Sequence, residues 1–424
     1  MHWLLGIYMW LFVHRPFEYY TALGDVQIER VFMLLMIVAW FVLPGKAMVG
    51  NRLHAALAAF MVAVTVCWMA SPWREQCGDV VESLAKVMVF YVLFVTSVTD
   101  EAGLHRMLKA FLIATGLYMF HSILEFLNGR HEFRMGIVRM VGVDITFRDP
   151  NSFASTLLLS LVLTLPFWAK AKSLSERWPL FAFCLPACGC ILLTGSRTGF
   201  IGLTVVGFFG ILVSKANKLV MLSLAATALA GVLALPGPLQ DRFLTIVDPS
   251  RGPANAQESA EGRLMGLTDG IDLFEQSLLL GIGPSAFPLA TGKGFNPHNL
   301  YGQVLAETGL AGTTAFLFLL VCFWQNWREA RRLYRDHPDW PKDFAWHTCR
   351  ATGMAVILML LLGMAGHNLY RYIWIWLAAF QTVALHCARE KARASEAAAL
   401  RVRVQDPPPR PRRFGTPYPR PLPA

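Results

Sequence analysis

The sequence predicts an all-α, polytopic membrane protein, and three observations carry that prediction. Of 424 residues, 55% are hydrophobic and only 16% charged, against about a quarter charged in soluble domains. Mean hydropathy is +0.45. The apolar residues also come in long runs nearly free of charge, which is the pattern of bilayer-spanning helices. They do not alternate, which excludes a closed β-barrel.

Candidate spans run Trp3–Val13, Val31–Leu43, Leu53–Ala70, Val80–Val98, Leu104–Leu127 and Ser152–Ala169, then Pro179–Leu193, Gly199–Val213, Leu219–Leu235, Leu300–Phe323, Thr352–Met364 and Ile373–Leu385. That is about twelve, with ends uncertain by a few residues. The first is short for a full crossing; tilting, re-entry or extension through Tyr19–Tyr20 are open. It lacks the basic start and cleavage site of a signal peptide, so its retention is expected.

Lysine and arginine set the orientation. With the N-terminus inside, the inner loops hold Lys46, Arg52, Arg106, Lys109, Lys170, Lys172, Arg177, Lys215 and Lys218. Arg328, Arg331, Arg332, Arg335, Lys342 and the segment from Arg389 follow on the same side, which is the positive-inside pattern. The outer loops keep arginines: Arg130, Arg134, Arg139 and Arg148 in one, Arg242, Arg251 and Arg263 in another. The formal net charge of +10 therefore reads as orientation and headgroup contact, not nucleic-acid binding. The eight cysteines show neither zinc spacing nor a paired extracellular set, and read as small packing residues.

The organisation expected is a membrane domain over 1–388 with one long outer loop at about 236–298. Within that loop Leu264, Leu267, Ile271, Phe274 and Leu278 recur at helical spacing, predicting an amphipathic helix over Glu261–Leu280. Residues 389–424 read as a basic, Pro-rich, disordered cytoplasmic tail.

Five outer motifs contain side chains able to do chemistry. The first is Phe295-Asn296-Pro297-His298-Asn299, entering a span that continues through Gly309 and Gly312. An imidazole at the mouth of a helix suits proton transfer near neutral pH, although a solvated His298 beside a capping Asn296 or Asn299 fits the same letters. The small residues Ala306, Gly309 and Gly312 predict a face for close helix contact. Second is Arg263, whose guanidinium can grip phosphate bidentately or touch a lipid headgroup. Third is Thr194-Gly195-Ser196-Arg197-Thr198-Gly199, a tight turn in which an arginine needs an anionic partner. Fourth is Phe147-Arg148-Asp149-Pro150-Asn151-Ser152, where Asp149 or Asn151 caps the next helix. Fifth is Gly366-His367-Asn368-Leu369-Tyr370-Arg371. All five fall on the outer side of the orientation derived from the lysines. His121 and Glu125, one helical turn apart, predict a local pair or a proton relay.

These motifs resemble the O-antigen ligase and polymerase superfamily. Its long outer loop has an Arg-x-x-x-Leu element, matched by Arg263 to Leu267. It closes with His-Asn/Ser/Gln, nine residues, then Gly-x-x-Gly/Thr/Tyr, matched by His298-Asn299, Leu300 through Thr308, and Gly309-Leu310-Ala311-Gly312. The Ser196–Gly199 turn and Gly281-Ile282-Gly283-Pro284 are also similar. The resemblance implies a bacterial inner-membrane, GT-C-like glycosyltransferase with a periplasmic active site and a cytoplasmic C-terminus. It would move a glycan from undecaprenyl diphosphate to lipid A–core, to another lipid-linked repeat or to a protein hydroxyl. It implies no cofactor and no metal, while Asp269, Asp272, Glu258 and Glu261 leave a cation site open. Carried onto this sequence, His298 is the catalytic residue, with Arg197, Arg263, Arg148, Asn299, His367 and Arg371 binding the diphosphate or acceptor. A transporter is the alternative of another class, but it would place charges at mid-bilayer on broken helices, whereas these motifs lie at one face.

Overall fold

The computed structural model describes residues 1–134, 136–145, 149–213, 233–246, 248, 255–335 and 342–405. Among the described residues seven helices are long and apolar enough to cross a membrane, so the chain is a multi-pass helical membrane protein. In chain order the elements begin α1 (His2–His14), α2 (Pro16–Tyr19), α3 (Thr21–Asp25), α4 (Ile28–Val42), α5 (Leu53–Ala70), α6 (Gly78–Ser97) and α7 (Glu101–Leu127). A hairpin of β1 (Glu132–Arg134) and β2 (Ile137–Arg139) precedes α8 (Pro150–Leu163), α9 (Leu165–Lys170), α10 (Leu174–Leu193) and α11 (Arg197–Val213). Then come α12 (Gly237–Leu244), α13 (Asn255–Gln276), α14 (Phe287–Thr291), α15 (Leu300–Arg335), α16 (Phe344–Gly363) and α17 (Ile373–Gln405).

The difference from about twelve expected spans has local causes. Helix α1 has 13 residues, about 20 Å at 1.5 Å per residue, short of the roughly 30 Å of hydrocarbon. It stops where Arg15 turns left-handed at φ 51. The expected span Leu219–Leu235 lies almost wholly outside the described residues. The expected tail is also shorter: α17 runs on to Gln405. Arg389 bonds Glu329 at 2.6 Å, and Lys391 pairs with Glu101 and Asp343, so a boundary at 388 would cut a helix that ion pairs hold in place. The stretch 406–424 lies outside the described residues.

Helix α17 is the centre of the bundle. Trp376 is fully buried and its ring lies 4.8–5.9 Å from those of Tyr372, Phe90, Phe12 and Phe111. Lipid is as apolar as these rings, so tight packing rather than water exclusion holds helices together here.

Helix α15 is not continuous. Gly309 has φ 55 and ψ −156, a region open essentially to glycine. The backbone groups freed by the break are met by the preceding segment. Ile282 N donates to Ala306 O at 2.8 Å and Gly283 N to Glu307 O at 3.1 Å, while Leu310 N and Ala311 N donate to Leu278 O and Leu279 O at 2.9 and 3.0 Å. Buried backbone groups must be paired in a membrane, and this plug pairs them. The expected small-residue face of a continuous helix is thus corrected: Gly309 makes the break, and a Cβ there would meet Gly281 N at 2.6 Å.

The loop helix forms as α13, but it turns a different face inward. Gly266 and Gly270 are buried, and a Cβ on Gly270 would meet Gly302 Cα at 2.6 Å. Leu264, Ile271 and Leu278 are exposed instead. Glycine wins the contact because two backbones can approach only where neither carries a side chain, which leaves the leucine stripe free for a membrane surface.

Candidate functional site

Helix α13, packed backbone to backbone on the start of α15, sets Arg263 beside His298. Ahead of α15 the chain runs through Pro297, whose carbonyl lies against Gly266. His298 then adopts φ 45, an uncommon conformation for a residue with a Cβ, of the kind that gathers at functional sites. Asn299 closes the helix start: its Oδ1 accepts from Tyr301 N at 2.9 Å and Gly302 N at 3.1 Å. The capping role open in the sequence is therefore the one its oxygen performs.

His298 is exposed as a residue while protein crowds around its ring, whose centroid lies 5.3 Å from that of His367 in an edge-to-face arrangement. Burial lowers the His298 pKa below the ordinary imidazole range; Arg263 and Arg134 push the same way and Asp149 opposes them. His367 is lowered too, first by burial, then by His298 and Arg371. Both rings are therefore neutral near pH 7, the form able to accept a proton.

The 366–371 segment is stitched to α15 by Gln303, whose Oε1 accepts from Leu369 N at 3.3 Å. Asn368 donates to Met359 O at 2.9 Å and accepts from Trp374 Nε1 at 2.9 Å. Arg371 is close enough to act on both His367 and the buried Tyr118, whose hydroxyl donates to Asp144 at 2.5 Å.

Arg197 opens α11 after Gly195 turns left-handed at φ 59, with Ser196 Oγ accepting from Gly199 N at 3.1 Å. Its Nη1 donates to Thr245 Oγ1 at 3.3 Å. Helix α12 folds over this turn: Arg242 Nε donates to Gly195 O at 2.7 Å, and Phe243 stacks on Phe200 with centroids 4.7 Å apart. Burial, with Arg139, Arg197, Arg134 and Arg263 nearby, lowers Arg242 to about 10. Burial, with Arg197, lowers Arg263 to about 10. Arginines crowded enough to destabilise one another's charge make a seat for a polyanion.

Asp149 caps α8, accepting from Ser152 N at 2.7 Å and Asn151 N at 3.2 Å. Burial resists its ionisation, but these bonds outweigh burial and hold its carboxyl below the usual range.

The structure thus brings together His298, Arg263, Arg197, His367 and Arg371, with Asn299 in the adjoining cap; Arg148 lies outside the described residues. Arg242 and Arg134 join the cluster without having been singled out; their signal was an arginine in an outer loop poor in lysine. Arg139 is buried and serves the fold, donating to Thr194 O at 2.8 Å. His121 and Glu125 do not bond each other as expected. His121 meets His14 at 2.9 Å and Glu125 accepts from the Tyr19 hydroxyl at 3.1 Å, because the chain after α1 folds between them. Asp269 is held by Lys293 at 2.6 Å, and among the described residues no three His, Cys, Asp or Glu side chains gather as metal ligands.

No curated protein matches the chain. Residues 181–317 match the family model described as O-antigen ligase, a segment that runs from α10 through Arg197, Arg263 and His298 into α15. Across that segment, about a third of the chain, the sequence is similar to the O-antigen ligase family, and together with the multi-pass helical body this supports a ligase- or polymerase-like membrane glycosyltransferase.

Proposed function

We propose that this protein transfers a glycan from an undecaprenyl-diphosphate-linked donor to an acceptor hydroxyl at the periplasmic face of the bacterial inner membrane, lipid A–core being the acceptor. The observation that carries this reading is the meeting of a neutral, water-accessible imidazole with a crowd of guanidinium groups. Arg263 and Arg197 grip the diphosphate and stabilise the charge that grows on it as the bond from the anomeric carbon to the phosphate oxygen breaks. His298 takes the proton of the acceptor hydroxyl as its oxygen bonds that carbon from the opposite side, inverting it. Undecaprenyl diphosphate leaves. Arg148, Asn299, His367 and Arg371 are proposed as further contacts to donor or acceptor. The positive charge the leaving group needs comes from arginine, so no step is routed through a metal.

Repeat-unit polymerisation and transfer to protein use the same chemistry with another acceptor. A deletion strain separates them. Loss of lipid A–core capping marks a ligase, a change in polymer length marks a polymerase, and loss of protein glycosylation marks a protein ligase. Rescue by wild type but not by His298→Ala or Arg263→Ala, with normal membrane insertion of both variants, is the expected result. Full rescue by His298→Ala would remove the histidine from the mechanism.

A further inference from the structure

Away from the outward site, α16 carries a charge that no described residue neutralises. Arg350 is half-buried near the start of this helix. Among the described residues no hydrogen bond or ion pair reaches it, although cations at the same end of the bundle have carboxylates: Arg52 and Arg389 on Glu329, Lys391 on Glu101 and Asp343. A guanidinium at membrane depth without a counter-charge is costly.

Arg350 stands at the foot of a groove of about 520 Å³ between α8, α11, α15 and α16. Its walls are apolar, with Val162, Val206, Phe323, Ile357 and Leu361 among them. Ile357 is 67% exposed and Trp324 52% exposed, so the groove opens sideways to lipid. Trp324 and Trp327 flank the foot, with Arg328 and Arg331 stacked on them at 4.6 and 5.6 Å. Tryptophan beside arginine is the composition of a headgroup layer. From Arg350 to Leu361, α16 rises about 17 Å, roughly half the 30 Å hydrocarbon core and so one leaflet deep. Above it the groove closes: the Tyr301 hydroxyl donates to Leu360 O at 3.0 Å, and a Cβ on Gly363 would meet Leu300 Cβ at 2.8 Å.

The missing partner must therefore join an anion at the foot to an apolar chain one leaflet long. We propose that this groove binds a glycerophospholipid of the leaflet at the end where Trp324, Trp327 and Arg350 lie, its phosphodiester on Arg350 and an acyl chain along α16. A polyprenyl donor fits poorly, because its diphosphate belongs with the arginines at the opposite end and would leave Arg350 unmet.

The test is native mass spectrometry of the full chain in detergent, titrated with phosphatidylglycerol, with diacylglycerol of the same chains, with undecaprenyl phosphate and with inorganic phosphate. One phosphatidylglycerol should be retained, and inorganic phosphate should not displace it. Arg350→Gln should weaken it about tenfold or more, the loss of a charge-assisted contact, with Arg350→Lys in between. Met354→Trp, which fills the groove and keeps the arginine, should weaken it as well. Undiminished retention by Arg350→Gln, equal binding of diacylglycerol, or preference for undecaprenyl phosphate would each overturn the proposal.

Discussion

The two ends of this helix bundle handle positive charge in opposite ways. At one end Arg52, Arg389, Lys391 and Lys170 meet Glu329, Glu101 and Asp343, closing ion pairs between α5, α7, α9, α15, α16 and α17. At the other, Arg134, Arg197, Arg242 and Arg263 crowd until they oppose one another's charge, with neutral His298 among them. Repulsion of that kind persists when it serves something besides the fold. Charge at the first end ties helices together; charge at the second is gathered around one histidine.

The largest effect should come from removing the imidazole. His298→Ala is expected to slow transfer by about 10²–10⁴-fold, the usual contribution of a positioned proton acceptor, as read by initial rates on a lipid diphosphate-linked glycan. Arg263→Ala follows, at about 10²–10³-fold for loss of a group aimed at developing charge, while Arg52→Ala at the opposite end should leave the rate unchanged. Equal losses from the two arginines would erase the contrast between the ends. The pH profile sharpens it further. The His298 pKa is depressed below 6.5, so its neutral form dominates at pH 7. The rate should fall as acid protonates it, with a midpoint below 6.5 and about tenfold per pH unit beneath that midpoint. A midpoint above 7 would contradict the burial argument. Gly309→Ala forces a Cβ into a glycine-only conformation, and the strain alone costs on the order of 1–3 kcal/mol, to be seen as a lower melting temperature. The smallest effect belongs to the paired end: Glu329→Gln should cost about 0–1 kcal/mol per ion pair.

Much of the body was legible because long apolar runs have few other uses. The span Leu53–Ala70 coincides with α5, and Gly78–Ser97 and Glu101–Leu127 match their expected spans to within a few residues. The proposed site motifs were singled out for a different reason: in the sequence, lysine counting and the positions of His298, Arg263 and Arg197 are independent, yet they agree on one side. What stayed hidden depends on contacts between distant segments. Nothing near Gly309 announces that residues 278–283 plug the break. The leucine stripe of α13 outweighs two glycines by period alone, although close approach to Gly302 decides which face is buried. Arg242 reaches the cluster only because α12 folds over the Gly195 turn. The β1–β2 hairpin was likewise unforeseen, since three-residue strands have no periodicity to read.

The direct test of one shared site is a double-substitution cycle on transfer rate with His298→Ala, Arg263→Ala and both together. Groups acting on one donor lose their effects jointly, so the double variant should be little worse than His298→Ala alone. Losses that multiply in full would mean that the imidazole and the guanidinium act apart, contrary to a single centre.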